Sequence, residues 1–198
     1  VDAGWNWGPH LVLNCEQGLL EAKVKFTNGT FRFFTTENDW GSGLNYPFFV
    51  EEGYTISPLL EDAADGDNNF QFTGDPGIYL LSIDQNAKTI TLEESGSLWL
   101  VGAATPGGWD WPGATEAQQV EVDVWEANLA LSNETFRVFT VRDDWSSGLN
   151  YPFYLSEGYS IDSNFEDAAD GDNNFRFIGT PGNYTLTINA ADQSIVLR

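Results

Sequence analysis

Six tryptophans fall into two matched sets, Trp5, Trp7 and Trp40, then Trp109, Trp111 and Trp145. The first pair of each set lies in a Gly/Pro-rich loop, GWNWG or GWDWP, and the third follows an FRxF strand motif. An indole on a loop can pack its flat face against the C–H face of a sugar, while nearby polar groups hydrogen-bond the hydroxyls. Trp5 and Trp109 suit either a core plug or such a platform. Trp7, Trp111, Trp40 and Trp145 are expected at the surface. Arg32 and Arg137 recur at one position in a chain with only 8 Lys and Arg. A guanidinium there can donate two hydrogen bonds to a diol, or pair with a carboxylate. Asp65, Asp67 and Asn69, repeated as Asp170, Asp172 and Asn174, put side-chain oxygens at alternate positions, the pattern a hard cation such as Ca²⁺ takes. The same spacing also makes Asx turns that order a loop without metal. It is not an EF-hand, because Phe70 and Phe175 replace the required Gly, and Pro76 and Pro181 the closing Glu. The one histidine, His10, is not duplicated. A nucleophile–histidine mechanism is therefore not expected, nor is an enzyme.

Stepping outward to the elements, the chain repeats itself. EDAADGDNNF occupies residues 61–70 and again 166–175, and TFRFFTTENDWGSGLNYPFF (30–49) returns as TFRVFTVRDDWSSGLNYPFY (135–154). The offset is 105 for these stretches and 104 for the GWNWG/GWDWP pair. Self-similarity at this period means two copies of one module, expected over residues 1–94 and 95–198. Val120, Val122 and Val124 alternate with acids, as Tyr184, Leu186 and Ile188 do with threonines, which is strand periodicity. IYLLSIDQNAKTITL and YTLTINAADQSIVL read as hairpins. Asn28-Gly29 reads as a tight hairpin turn. ISPLLEDAAD and IDSNFEDAAD are each expected to form one helical turn. About seven short strands per copy predict an all-β fold of two sandwiches. Copy two opens with Ser97-Leu98-Trp99-Leu100-Val101-Gly102, a strand entering the Thr105–Gly108 turn. Copy one begins at that turn. Its first strand is expected to be missing, leaving an exposed sheet edge or a strand borrowed from a neighbour.

Composition narrows the partners. The net charge is −22, with 15 acidic and 4 basic residues in each half. Such a field repels phosphate backbones and acidic polysaccharides, so nucleic acid is not a partner and any glycan should be neutral. The single cysteine, Cys15, excludes an internal disulfide framework. At an offset of 105 it matches Val120 and is expected to be a small core hydrophobe. No membrane span is apparent.

LWLVGAATPGGWDWPG, then TFRVF followed by a Trp, then DGDNNFRFIGTPGNYTLTINAADQSIVL, resembles the tandem domains of the SusE/SusF-like surface glycan-binding proteins of Bacteroidetes. The likeness covers copy two completely and copy one except its first strand. It implies tandem Ig-like β-sandwiches and a non-catalytic lipoprotein on the extracellular face of the outer membrane. Such a protein binds a glycan by an aromatic platform and a basic residue, and supports an importer complex. Carried over, the platforms are Trp109 and Trp145 with Trp111 and Tyr151 beside them, and Trp5 and Trp40 with Trp7 and Tyr46. Arg137 and Arg32 stand where the family has lysine. The reading is a binder of a starch-like α-glucan or a laminarin-like β-glucan, with no cofactor required and calcium at the DGDNN loops as an open alternative. The rival is a pair of spacer domains that dock a surface import complex without binding sugar.

Overall fold

The computed structural model describes residues 5–8 and 10–198, and the chain divides into two compact units, 1–95 and 96–198. Both are all-β sandwiches, the fold class expected, with one short helix each.

In the second unit one hydrogen-bonded path runs through the strands Ser160–Ile161, Ser194–Leu197, Gly182–Asn189, Val124–Leu131, Thr115–Glu121, Leu98–Val101, Thr135–Phe139, Phe175–Phe177 and Phe165–Asp167. Gly148–Leu149 pairs with Thr135–Phe139 at its side. Alternation of apolar and polar residues fills one face of each strand. Leu129, Leu131, Phe136, Val138, Phe175, Phe177, Leu186 and Ile188 pack into a single cluster between the layers. Leu98–Val101 is the strand that joins the layers. Leu98, Trp99 and Leu100 pair with Ala117, Glu116 and Thr115 on one side. Trp99, Leu100 and Val101 pair with Phe139, Val138 and Arg137 on the other. Leu98 and Leu100 drop into the core, and Leu100 has no exposed surface.

In the first unit the described residues form three separate sheets. Asn14–Glu16, Leu19–Phe26, Gly77–Asp84, Thr89–Glu94 and Thr55–Ile56 make one. Thr30–Phe31, Phe70–Phe72 and Leu60–Asp62 make the second, and Phe33–Phe34 with Gly43–Leu44 the third. No strand among the described residues takes the place of Leu98–Val101, as expected, and the layers lose their ladder connection. A groove of about 740 Å³ opens there, reaching the core residues Val24, Phe26 and Leu81. Phe31, Phe33 and Phe34 are only half-buried, whereas their counterparts Phe136, Val138 and Phe139 are each 1% exposed.

Three local expectations need correction. Asn28-Gly29 does not close a hairpin. Leu19–Phe26 pairs with Gly77–Asp84 along its whole length, so the chain must cross to the other layer at Asn28. Neither residue needs positive φ there, and copy two has Glu134 instead of Gly. The 56–65 and 161–170 segments form no helical turn; Pro58 and Leu59 lie in a turn before the strand Leu60–Asp62. The helices are Tyr46–Glu51 and Tyr151–Ser156, started by Asn45 and Asn150 side chains capping the N–H groups of Phe48 and Phe153, with Pro in the first turn. Cys15 is exposed, not core. It pairs with Leu20, the counterpart of Trp125, and Trp125 pairs with Gln119. Val120 is the extra residue of a β-bulge between Gln119 and Glu121. The offset therefore changes from 104 to 105 at the bulge, and Cys15 corresponds to Gln119 rather than Val120.

Candidate functional site

The GGWDWPG loop folds back on itself because two glycines touch. A Cβ on Gly107 would lie 1.8 Å from the carbonyl oxygen of Gly113, so only glycine lets the two ends of the loop meet. The short 3₁₀ turn Trp111–Gly113 begins inside this loop. It directs Trp111 inward, against Phe139 and the residues around Val101. A second 3₁₀ turn, Trp145–Ser147, is capped by Asp144, whose Oδ1 accepts from the Ser146 N–H at 2.8 Å. The Ser146 side chain holds the Asp144 carboxyl below the usual carboxylate range.

These two turns bring three rings together. Trp111 and Trp145 centroids lie 4.9 Å apart, tilted by 54°. Phe139 sits 5.0 Å from Trp111 and 5.5 Å from Trp145, edge-on to both. The first unit repeats the group: Trp7 and Trp40 are 4.9 Å apart at 55°, with Phe34 at 4.8 and 5.4 Å. Trp40 and Trp145 are 51% and 50% exposed, so each presents a ring to solvent on a rigid aromatic pedestal. Trp5 and Trp109 are also exposed, at 49% and 42%, which removes the core-plug option. Trp111, expected at the surface, is buried at 8%, because Val101 and Phe139 close around it. Trp7, with no such strand beside it among the described residues, is half-buried. The indole Nε1 of both Trp7 and Trp111 is buried with no acceptor among the described residues. In the second unit the Arg142 guanidinium lies 4.7 Å over the Trp99 ring, extending the aromatic group.

The tyrosines and arginines of the expected site do other work. Tyr46 and Tyr151 pack against the core rings of Phe70 and Phe175 at 5.3 and 5.2 Å. Arg137 donates from Nε to Asn174 Oδ1 at 2.9 Å and from its NH2 group to the Asp172 carbonyl at 2.7 Å. Arg32 donates from NH2 to the Asp67 carbonyl at 2.6 Å. Each guanidinium thus reaches into the acidic loop, though to amide and carbonyl oxygens rather than to a carboxylate.

That loop is a self-contained lock. Asp65 Oδ1 accepts from the N–H groups of Asp67 and Asn69, and its Oδ2 from the Asn69 side chain at 2.7 Å. Asp170 takes the Asn174 N–H and side chain in the same way, at 3.3 and 2.8 Å. Asn45 and Asn150, besides capping their helices, donate to the carbonyls of Asp67 and Asp172 at 3.1 Å each. The two most repeated stretches, WxSGLNYP and DGDNN, are therefore halves of one structure. The donor set does not suit calcium. Asp65 and Asp170 are committed to N–H groups, Asn69 and Asn174 turn their amide nitrogens toward them, and an arginine fills the loop's mouth. Among the described residues no three His, Cys, Asp or Glu stand together as a metal site. The Asn69 amide holds the Asp65 carboxyl below its ordinary value. Burial acts to raise Asp170, but hydrogen bonds from Asn174 and the loop outweigh it, and it too is lowered.

His10 donates from Nδ1 to the Trp7 carbonyl at 3.0 Å, and its Nε2 lies 3.9 Å from Glu37; the positions matching both in copy two, Ala114 and Arg142, keep neither group. No helix among the described residues is long and apolar enough to cross a membrane.

No protein-family model matches the chain, and no curated protein matches it. Among solved structures it is similar to SusF from Bacteroides thetaiotaomicron, with a TM-score of 0.37 and 15% identity over 94% of this chain. The chain spans 41% of that SusF chain.

Proposed function

We propose that the protein is a non-catalytic binder of a neutral polysaccharide, with one platform per unit, built on Trp40 and on Trp145. The observation that carries this reading is the duplicated pair: a half-exposed indole held 4.9 Å from a second, more buried one, in both units. Rigid, exposed aromatic surface gives contact area at little entropic cost. Trp5 and Trp109 extend the platforms. The acidic surface favours a neutral glucan, starch-like or laminarin-like, over an acidic one. The setting that follows is the extracellular face of a bacterial outer membrane, where a lipid-anchored protein holds glycan for an importer.

The test is retardation in native gels containing single glycans. Trp40→Ala and Trp145→Ala together should abolish retardation on the glycan that binds the parent chain, with the fold unchanged. No retardation of the parent on any neutral glucan would overturn the proposal.

A second reading has its own observation. Phe48 and Val50 on one helix, and Phe153 and Leu155 on the other, are 37–53% exposed. Repeated apolar side chains on short helices fit a protein partner such as an import complex. Under that reading, Val50→Lys and Leu155→Lys would release the partner while leaving any glycan retardation intact.

A further inference from the structure

The same crossing between layers is built in two ways. In the second unit residues 132–134 carry the chain from Val124–Leu131 to Thr135–Phe139. Asn133 holds that crossing, because its Nδ2 donates to the carbonyls of Phe177 at 3.3 Å and Gly179 at 2.7 Å. In the first unit residues 27–29 carry the chain from Leu19–Phe26 to Thr30–Phe31. Asn28 is exposed there, and its side-chain amide makes no hydrogen bond among the described residues. Gly29 stands where copy two has Glu134. Its N–H has no acceptor among the described residues, and a Cβ added to it would meet nothing within 4 Å. A free carboxamide therefore stands next to an unhindered main-chain nitrogen.

We infer that Asn28 is a site of spontaneous deamidation and isomerisation, from which the fold shields its counterpart Asn133. The Gly29 nitrogen attacks Cγ of Asn28. The new C–N bond closes a five-membered succinimide, the bond from Cγ to the amide nitrogen breaks, and that nitrogen leaves as ammonia with the proton lost by Gly29. Water then opens the ring at either carbonyl, leaving aspartate or isoaspartate. One water is consumed and one ammonia released, with no change of oxidation state. Either product adds a negative charge, and isoaspartate also lengthens the main chain by one carbon. The added carbon falls on a weak joint. Thr30–Phe31 is held by two rungs, against Gln71 and Phe70. The Phe72 N–H reaches the Gly29 carbonyl at 3.3 Å, whereas Phe177 reaches Glu134 at 3.0 Å. The Asp-Gly bonds of the acidic loops give the contrast. Asp65-Gly66 and Asp170-Gly171 have the same glycine. Their carboxyls are tied down by the N–H groups and side chains of Asn69 and Asn174, and so are kept off the next nitrogen.

The experiment ages the whole 198-residue chain at mildly alkaline pH, folded and unfolded in urea, and maps the peptides of both samples. In the folded chain the tryptic peptide Phe26–Arg32 should gain aspartate and isoaspartate, the latter labelled by an isoaspartyl-specific methyltransferase, at a rate close to that of the unfolded chain. Asn133, Asp65 and Asp170 should react at least about tenfold more slowly folded than unfolded, because the hydrogen bonds that hold them must first break. Gly29→Ala, for which there is room and no positive φ, should fold as the parent does and suppress the change at Asn28. Ageing should lower the melting transition of the parent's first unit by about 4–8 °C, the shift that goes with losing roughly one hydrogen bond in a domain of this size, and should leave Gly29→Ala unmoved. Protection of Asn28 as strong as that of Asn133, or conversion at Asp65 or Asp170 that outruns it, would overturn the inference. So would equal conversion in Gly29→Ala. An unmoved transition in a converted sample would overturn the weak joint. Glycan retardation enters none of these readouts, so the result is independent of the proposed binding.

Discussion

Trp145 and Trp111 are neighbours whose substitutions should do opposite things. Trp145→Ala removes exposed surface and is expected to leave the melting temperature within about 1–2 °C while abolishing glycan retention by the second unit. Trp111→Ala empties a buried site and is expected to cost about 3–5 kcal/mol, read by denaturant unfolding. From the sequence both looked alike, two tryptophans on loops. Their difference arises from Val101 and Phe139, which come from distant parts of the chain and meet only in the folded unit. The acidic loop carries a pH signature. Asp65 and Asp170 have depressed folded pKa values, so their contribution is complete above the unfolded value of about 3.9 and is lost as pH falls through the lower folded value. Thermal melts from pH 7 down to about pH 3 should therefore fall less steeply in an Asp65→Asn, Asp170→Asn double variant than in the parent. Calcium at millimolar concentration and a chelator should give equal melting temperatures; a rise with calcium would restore the cation alternative.

At the scale of elements, the strand alternation around Leu186 and Ile188 and both terminal hairpins were legible, because period two and a four-residue turn leave little choice. The helices were not recognised, although Asn45-Tyr46-Pro47 and Asn150-Tyr151-Pro152 hold a cap followed by proline. Six residues are too few for a 3.6-residue period to show. Asn28-Gly29 misled because turn chemistry says nothing about which strands flank it. Its absence from copy two was the available warning. Gly102→Ala tests the joining strand: with 2.2 Å to the Phe136 backbone it should destabilise the second unit by about 3 kcal/mol or more, visible as an earlier melting transition.

On the whole-molecule scale the looser packing of the first core predicts that the two units melt separately. The first, with half-buried Phe31, Phe33 and Phe34, should unfold first, and calorimetry should resolve two transitions. Charge adds a second expectation. At −11 per unit the folded state repels itself, so raising salt from about 10 to 500 mM, which shortens the screening length from about 30 to a few Å, should raise both transitions. Binding to a neutral glucan should stay constant over the same range. The doubling of platforms predicts tighter retention on a polymer by the whole chain than by a single-platform variant, by about 10² if one polymer reaches both. Duplication, charge and fold class were readable because each is summed over the chain. The groove was readable only as an absence, since its walls are set by pairing rather than by composition.

The bulged Val120 has a practical consequence for anyone who recombines the two copies. A chimera that crosses from Gln119 to Glu16 omits only the bulged residue and keeps both flanking ladders in frame. A crossover upstream of it drawn at a constant offset of 105 adds one residue to the strand, and every side chain beyond the junction exchanges the inner face for the outer.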